Sequence, residues 1–222
     1  MTLRWFGQSC FLLTTAAGEK VLMDPFRKFF RYALPPLQAD IVTSSHSHPD
    51  HDNVAAGGSG ALAVTTVDGA ETAGLRIRGV SAWHDAKEGA SRGANIIFIV
   101  EADGLRVCHC GDLGHELDEA RLRAIGRVDV LLVPCGGMAS AGPKLAARLV
   151  EQLDPAIVVP MHYRTAGLGV AGIIFAPVSE FVKACGLPVR REALLRAEAG
   201  ARAPGKRGEI VILEWEDLHE GR

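Results

Sequence analysis

The segment His46-Ser47-His48-Pro49-Asp50-His51 places three imidazoles and one carboxylate within six residues. Imidazole nitrogen and carboxylate oxygen are donors that zinc and other borderline divalent ions accept. The cluster follows the largely apolar run Asp40-Ile41-Val42-Thr43, so it stands at the end of an expected strand. An extended backbone turns His46 and His48 to the same side. Pro49 disfavours helix at His48 and can open one just beyond, which would set Asp50 and His51 in a first helical turn aimed back over the strand end. The bland alternative is a solvated loop that happens to be rich in histidine.

Further donors argue against that alternative, and each closes its own strand-like run. His84 stands in Ser81-Ala82-Trp83-His84-Asp85, after the run 75–80. Asp112 ends Val107-Cys108-His109-Cys110-Gly111-Asp112, and His162 follows Ile157-Val158-Val159-Pro160-Met161. Any one of these would pass as an ordinary half-buried polar residue. Several ligand-type groups at strand ends, in one chain with the cluster, predict a metal site.

The remaining polar candidates carry weaker signals. Asp24 ends the run 20–24 and is expected to hold the histidine loop from behind, since ligating imidazoles need an outer partner. His109 lies three positions from Asp112, faces the other way in a strand and is expected to be structural. His115 is expected at the solvent-exposed rim, and His219, in the polar C-terminal stretch, carries no signal. Arg164 is a candidate for holding an anionic substrate in a bidentate grip, with a surface ion pair as the alternative. Ser44 and Ser45 precede the motif without a free base, so neither is expected to be a nucleophile.

Stepping outward, the pattern predicts strands over 3–15, 20–24, 40–44, 61–67 and 75–80. A β-hairpin over 95–101 and 106–110 follows, turned at Asp103-Gly104. Helix and strand then alternate: helix 117–126, strand 128–134, helix 143–153 and strand 156–160. Ser179 is expected to cap a helix that reaches Cys185 and stops at Gly186, and 209–215 reads as a closing strand. These elements make an α/β protein without short repeats or linkers, expected as one domain over 1–222. The stretch 197–207 is the expected mobile loop.

The order His46-x-His48-x-Asp50-His51, His84, Gly111-Asp112, His162 resembles that of the metallo-β-lactamase-fold hydrolases. Within them the chain most resembles the small single-domain bacterial group that includes ascorbate-phosphate lactonases. Supporting pieces are Gly7-Gln8-Ser9-Cys10, Met23-Asp24-Pro25-Phe26, Pro134-Cys135-Gly136-Gly137 and Pro160-Met161-His162-Tyr163-Arg164-Thr165. Gln8 departs from the His that these relatives often carry, and Ser140-Ala141 from their Thr-Met. The resemblance implies a four-layer α/β/β/α sandwich and two divalent ions. His46, His48 and His84 would hold one ion, Asp50, His51 and His162 the other, with Asp112 bridging. Zinc is the first choice, with Mn2+ or Fe2+ also admitted by the donors. A metal-bound hydroxide, oriented by Asp50, would then attack the substrate without any Ser or Cys nucleophile.

Composition narrows the partners. The 222 residues carry 24 basic and 26 acidic side chains, a formal net charge of −2, which gives no nucleic-acid footprint. No run approaches the roughly 20 apolar residues of a membrane span. The start of the chain reads as a strand rather than a signal peptide. Five cysteines, an odd number in apolar runs, are expected as reduced packing residues in a cytoplasm. The segment 26–36 interleaves aromatic and basic groups; it reads as a surface loop, a lid over the cleft, or a dimer or membrane-surface contact. The resulting expectation is a binuclear hydrolase of a small, anionic ester, lactone, amide or phosphodiester, with homo-oligomers admitted. The rivals are a non-catalytic metal-binding or sensor protein and an iron-dependent redox enzyme.

Overall fold

The computed structural model describes residues 1–138, 140–200 and 207–215. His219 and most of the expected loop 197–207 lie outside them. The N-terminal half gives β1 (Thr2–Gly7), β2 (Cys10–Thr14), β3 (Lys20–Met23), β4 (Ile41–Thr43) and β5 (Leu62–Val64), then β6 (Ala70–Glu71), β7 (Leu75–Trp83), β8 (Ala94–Ala102) and β9 (Leu105–His109). Then come α1 (Glu119–Ile125), β10 (Val130–Pro134), α2 (Pro143–Leu153), β11 (Ile157–Met161), α3 (Val178–Cys185), β12 (Val189–Glu192), β13 (Leu195–Arg196) and β14 (Glu209–Leu213). Among the described residues these strands form two mixed sheets, β13-β1-β2-β3-β4-β5 and β12-β14-β11-β10-β9-β8-β7-β6.

Period-two alternation decides which side chains meet between the sheets. Trp5, Phe11, Leu13, Val21, Met23 and Ile41 point into a core shared with Ile97, Ile99, Val107 and Leu131 of the larger sheet. Their neighbours Phe6, Cys10, Leu22 and Val42 point outward into a second cluster with Phe26, Tyr32, Leu168 and Phe175. The parallel strands β10 and β11 are buried along their whole length, as expected where both faces are covered. Helix α2 packs on β10 and against α3, while α1 packs on β7. The outer face of the smaller sheet is covered by the segment after β3 and by 3-10 turns over Val54–Gly57 and Ala166–Ile174.

Local chemistry moved several boundaries. The run 3–15 is a hairpin, not one strand, because Gly7 (φ 105) and Gln8 (φ 48) reverse the chain and Trp5 Nε1 donates to Gln8 O at 2.9 Å. Strand β7 continues past 80 to Trp83, since its pairing with β8 holds as far as Trp83↔Ala94. The 95–110 hairpin forms as expected, with positive φ at both Asp103 (54) and Gly104 (73). Asp118 caps α1 by accepting the Arg121 N–H at 2.8 Å. Ser179 is no cap: α3 starts at Val178, two residues earlier than such a cap would set it, after the extended Pro177, while Gly186 closes it in the left-handed region (φ 61). Short strands β6, β12 and β13 were not expected; they lack a clear alternation and lie at sheet edges.

The aromatic and basic segment 26–36 splits by burial. Phe26 and Tyr32 are buried in the outer cluster, whereas Phe30 is 52% exposed. The Tyr32 hydroxyl hydrogen-bonds Thr165 and its ring fills the space beside Gly7 and Gly167, where any Cβ would collide with it. Tyr32→Ala should therefore cost about 3–5 kcal/mol, as emptying an aromatic site does. Phe30→Ala should stay within about 0.5 kcal/mol. Urea denaturation of both variants checks the contrast.

Candidate metal centre

The expected ligands lie on segments that follow the carboxyl ends of strands, with Asp50 and His51 farther along the segment after β4. His46 and His48 follow β4, His84 directly follows β7, Asp112 lies three residues past β9, and His162 directly follows β11. The seven side chains come together in two adjoining groups. His46, His48 and His84 form one, and Asp50, His51 and His162 the other, each with its donor atoms within 4.8 Å of one another. Asp112 lies between them: its Oδ2 is 3.2 Å from His84 Nε2, 3.4 Å from His162 Nε2 and 3.5 Å from His51 Nε2. Asp50 Oδ2 lies 3.6 Å from His51 Nε2 and 3.8 Å from His162 Nε2. The expected helical turn at 50–51 is only a single turn, closed by the His51 N–H to His48 O bond at 2.9 Å.

A model for a beta-lactamase superfamily domain matches residues 2–162 of the chain. A UPF0173 metal-dependent hydrolase of Pelotomaculum thermopropionicum is 30% identical over 241 aligned positions, covering 95% of this chain and 100% of that protein. One from Thermococcus onnurineus is 33% identical over 190 positions, covering 73% and 84%. A metallo-beta-lactamase superfamily crystal structure from Thermotoga maritima superposes with a TM-score of 0.76 at 33% identity, over 96% of this chain and 98% of that one. The chain belongs to the UPF0173 metal-dependent hydrolases of the beta-lactamase superfamily. Like these hydrolases it carries the metallo-β-lactamase fold.

The donor set of this family member fits a metal. Among the described residues, His46 Nε2, His51 Nε2 and Asp112 Oδ1 are buried without a hydrogen-bond partner, a costly state for polar atoms unless something coordinates them. Burial, helped by neighbouring His51, lowers the His46 pKa to about 3, so its ring is neutral and its lone pair free at neutral pH. Burial opposes charge on His51 as well, but the Asp112, Asp24 and Asp50 carboxylates outweigh it and hold its pKa well above the ordinary value. Burial also opposes ionisation of Asp112 and Asp50; nearby imidazoles overcome it and hold both below the carboxylate range. Without a cation, then, a proton on His51 answers the carboxylates. A divalent ion answers them better and displaces that proton.

Asp24 holds the centre from behind, in the position expected of it. It directly follows β3, is fully buried and sits at φ 45. Its Oδ1 accepts the Ser45 N–H at 2.8 Å, and its Oδ2 accepts the Ser45 hydroxyl at 2.5 Å and His51 Nδ1–H at 2.8 Å. Asp24 also lies close enough to His46 and His51 to count as a donor. Its oxygens already serve three donors, so we assign it to support. His109 is buried and structural, with Nε2 on Ser9 O at 2.8 Å and Nδ1 accepting the Gly111 N–H at 3.1 Å.

Arg164 is held by backbone: Nε donates to Gly172 O (3.0 Å) and Phe175 O (2.8 Å), and Nη2 to Ile173 O (2.8 Å), and among the described residues it joins no ion pair. It stitches the turn beyond His162, a set of contacts that sequence alone does not reveal. His115 is half-buried rather than exposed; its Nε2 accepts the Trp83 N–H at 3.1 Å, steadying the residue before His84. Gln8, despite departing from the relatives' His, still reaches the centre: its Nε2 is 3.5 Å from Asp50 Oδ2, and its carbonyl accepts the His162 N–H at 3.1 Å. Sequence reasoning passed over Asn95, whose Oδ1 accepts the Asp112 N–H and whose Nδ2 donates to Cys110 O, both at 2.9 Å. The signal was an amide at the start of an otherwise apolar strand. A surface cleft of about 600 Å3 lined by Glu71, Arg76, Glu101 and Arg106 holds none of the ligands, and its charges pair with one another.

Glycine makes the close approach possible. At Gly111 (φ 55) an added Cβ would stand 2.3 Å from Asn95 Oδ1 and 2.7 Å from the Ser45 side chain; at Gly136 it would stand 2.1 Å from His162 O. Gly111→Ala should thus cost about 1–3 kcal/mol and push Asp112 off its imidazoles. Denaturant unfolding reads the first effect, and a weakened zinc affinity in a chelator competition reads the second.

Proposed function

We propose that the chain is a binuclear hydrolase of small anionic esters, lactones, amides or phosphodiesters. The observation that carries this reading is the pair of three-donor groups sharing Asp112 between them. Zinc is the first choice, and manganese or iron suits the same donors. Bound divalent ions would lower the pKa of water toward about 7, polarise a carbonyl or phosphoryl oxygen and stabilise the leaving oxygen. His46, His48 and His84 would hold one ion, Asp50, His51 and His162 the second, with Asp112 common to both.

The protein groups then have distinct tasks. Asp50 is half-buried, ionised and tethered by Gln8, so its carboxylate can accept a hydrogen bond from the attacking water and orient it. Asp112 neutralises part of the charge of two close cations. Two divalent ions against the Asp50 and Asp112 carboxylates leave the centre net positive, which favours an anionic substrate. Lys87 and Arg92 are exposed on the loop after His84, where Asp85 and Glu88 balance their charge. Asp85 ties down this loop by accepting the N–H groups of Lys87, Gly89, Ser91 and Arg92. No helix among the described residues is long and apolar enough to cross a membrane. The five free cysteines suit the reducing conditions of a cytoplasm.

A panel of lactones, esters, amides and phosphodiesters, assayed with zinc- or manganese-reconstituted protein, tests the reading; no metal-dependent turnover on any of them would contradict it. Asp112→Ala should lower kcat/KM by more than roughly a hundredfold, beyond the loss seen for outer partners, with an unchanged far-UV circular dichroism spectrum. Asp50→Asn should lower kcat by about 10²–10⁴-fold, the range of a positioned acid–base group, with a smaller loss of metal affinity. Steady-state kinetics beside a chelator titration separates the two effects.

A further inference from the structure

Ser45 stands between a buried carboxylate and the first ligand imidazole. Its hydroxyl is 2.5 Å from Asp24 Oδ2 and 2.9 Å from His46 Nδ1. A carboxylate oxygen only accepts, so the Ser45 O–H is directed to Asp24. Toward His46 the Ser45 oxygen can then only accept, and His46 must carry its proton on Nδ1. The same logic fixes His51, whose Nδ1 meets the same Asp24 Oδ2 at 2.8 Å. In both rings Nε2 is left to face the centre, and both Nε2 atoms are buried without a hydrogen-bond partner among the described residues. Yet the two rings belong to different groups: His46 stands with His48 and His84, and His51 with Asp50 and His162.

We propose that Ser45 is the positioning residue of His46, relaying the Asp24 carboxylate so that one buried group orients an imidazole in each half of the centre. The proposal rests on the two-ion reading above. It makes the halves unequal in their support: His51 leans on Asp24 directly, His46 only through a hydroxyl. Loss of the hydroxyl should disturb one half, and loss of the carboxylate both. Ser44 provides the control, because its hydroxyl donates to the His46 carbonyl at 3.0 Å and does not touch the ring.

The test uses the full chain, stripped of metal and titrated with zinc against a chelator, together with 15N-edited imidazole spectra of the metal-free protein. In the wild-type spectrum His46 should be the Nδ1-protonated tautomer. Ser45→Ala should mix its tautomers and weaken one zinc ion by about 10–100-fold, the usual cost of losing an outer partner, leaving the other at wild-type affinity. Asp24→Asn should weaken both. Should that variant fail to fold, Ser45→Ala decides alone. An Nε2-protonated His46 in the wild type, unchanged zinc affinities in Ser45→Ala, equal loss of both ions, or the same tautomer shift in Ser44→Ala would each overturn the proposal. If the wild type takes up a single ion, the two-ion reading fails, and the tautomer spectra still decide the role of Ser45.

Discussion

Three imidazole nitrogens converge within 3.5 Å of one buried carboxylate oxygen, Asp112 Oδ2, and the rest of the molecule serves that convergence. Buried carboxylates are costly unless positive charge answers them. Here the imidazoles of His51, His84 and His162 face it, and they come from the ends of three separate strands or loops. No local segment supplies such a set. It exists only because two mixed sheets bring the carboxyl ends of β3, β4, β7, β9 and β11 to one place, the general location of sites in sheets with parallel strands. A proton on His51 satisfies the carboxylates in part; a cation satisfies them and the orphaned nitrogens together.

The support beneath the centre is more deeply buried than its rim. Asp24, Ser45, Asn95 and His109 are all buried and hydrogen-bonded to the backbone or rings that carry the ligands. Close backbone approach at Gly111 and Gly136 leaves no room for drift. Three residues around the site, Gln8, Asp24 and His162, adopt positive φ (48, 45 and 51), where strain is tolerated only when surrounding contacts impose it. Around the rim, by contrast, the loop after His84 and the turn after His162 expose many of their residues and are tied down by side chains of their own, Asp85 and Arg164.

Much of this was legible in the residue order because ligand types and strand ends coincide. His46, His48 and Asp50-His51 announce themselves by density, and His84, Asp112 and His162 by closing apolar runs. The hairpin turn at Asp103-Gly104 and the proline-started α2 follow from local backbone preference. What was not legible depends on partners distant in sequence. Ser45 reads as a spare hydroxyl until Asp24, 21 residues earlier, lies beside it. Arg164 reads as an anion ligand or a surface ion-pair partner, and its contacts with the carbonyls of Gly172, Ile173 and Phe175 have no sequence signal. The first hairpin was hidden because its turn carries Gln8 in a left-handed conformation that hydrophobic patterning cannot signal.

Whether two cations share Asp112 is read most directly by anomalous diffraction from crystals reconstituted with zinc. Two peaks roughly 3.5–4 Å apart are expected, one among His46, His48 and His84, the other among Asp50, His51 and His162, with Asp112 touching both. A single peak under saturating zinc, or a second one away from Asp112, would contradict the two-ion reading.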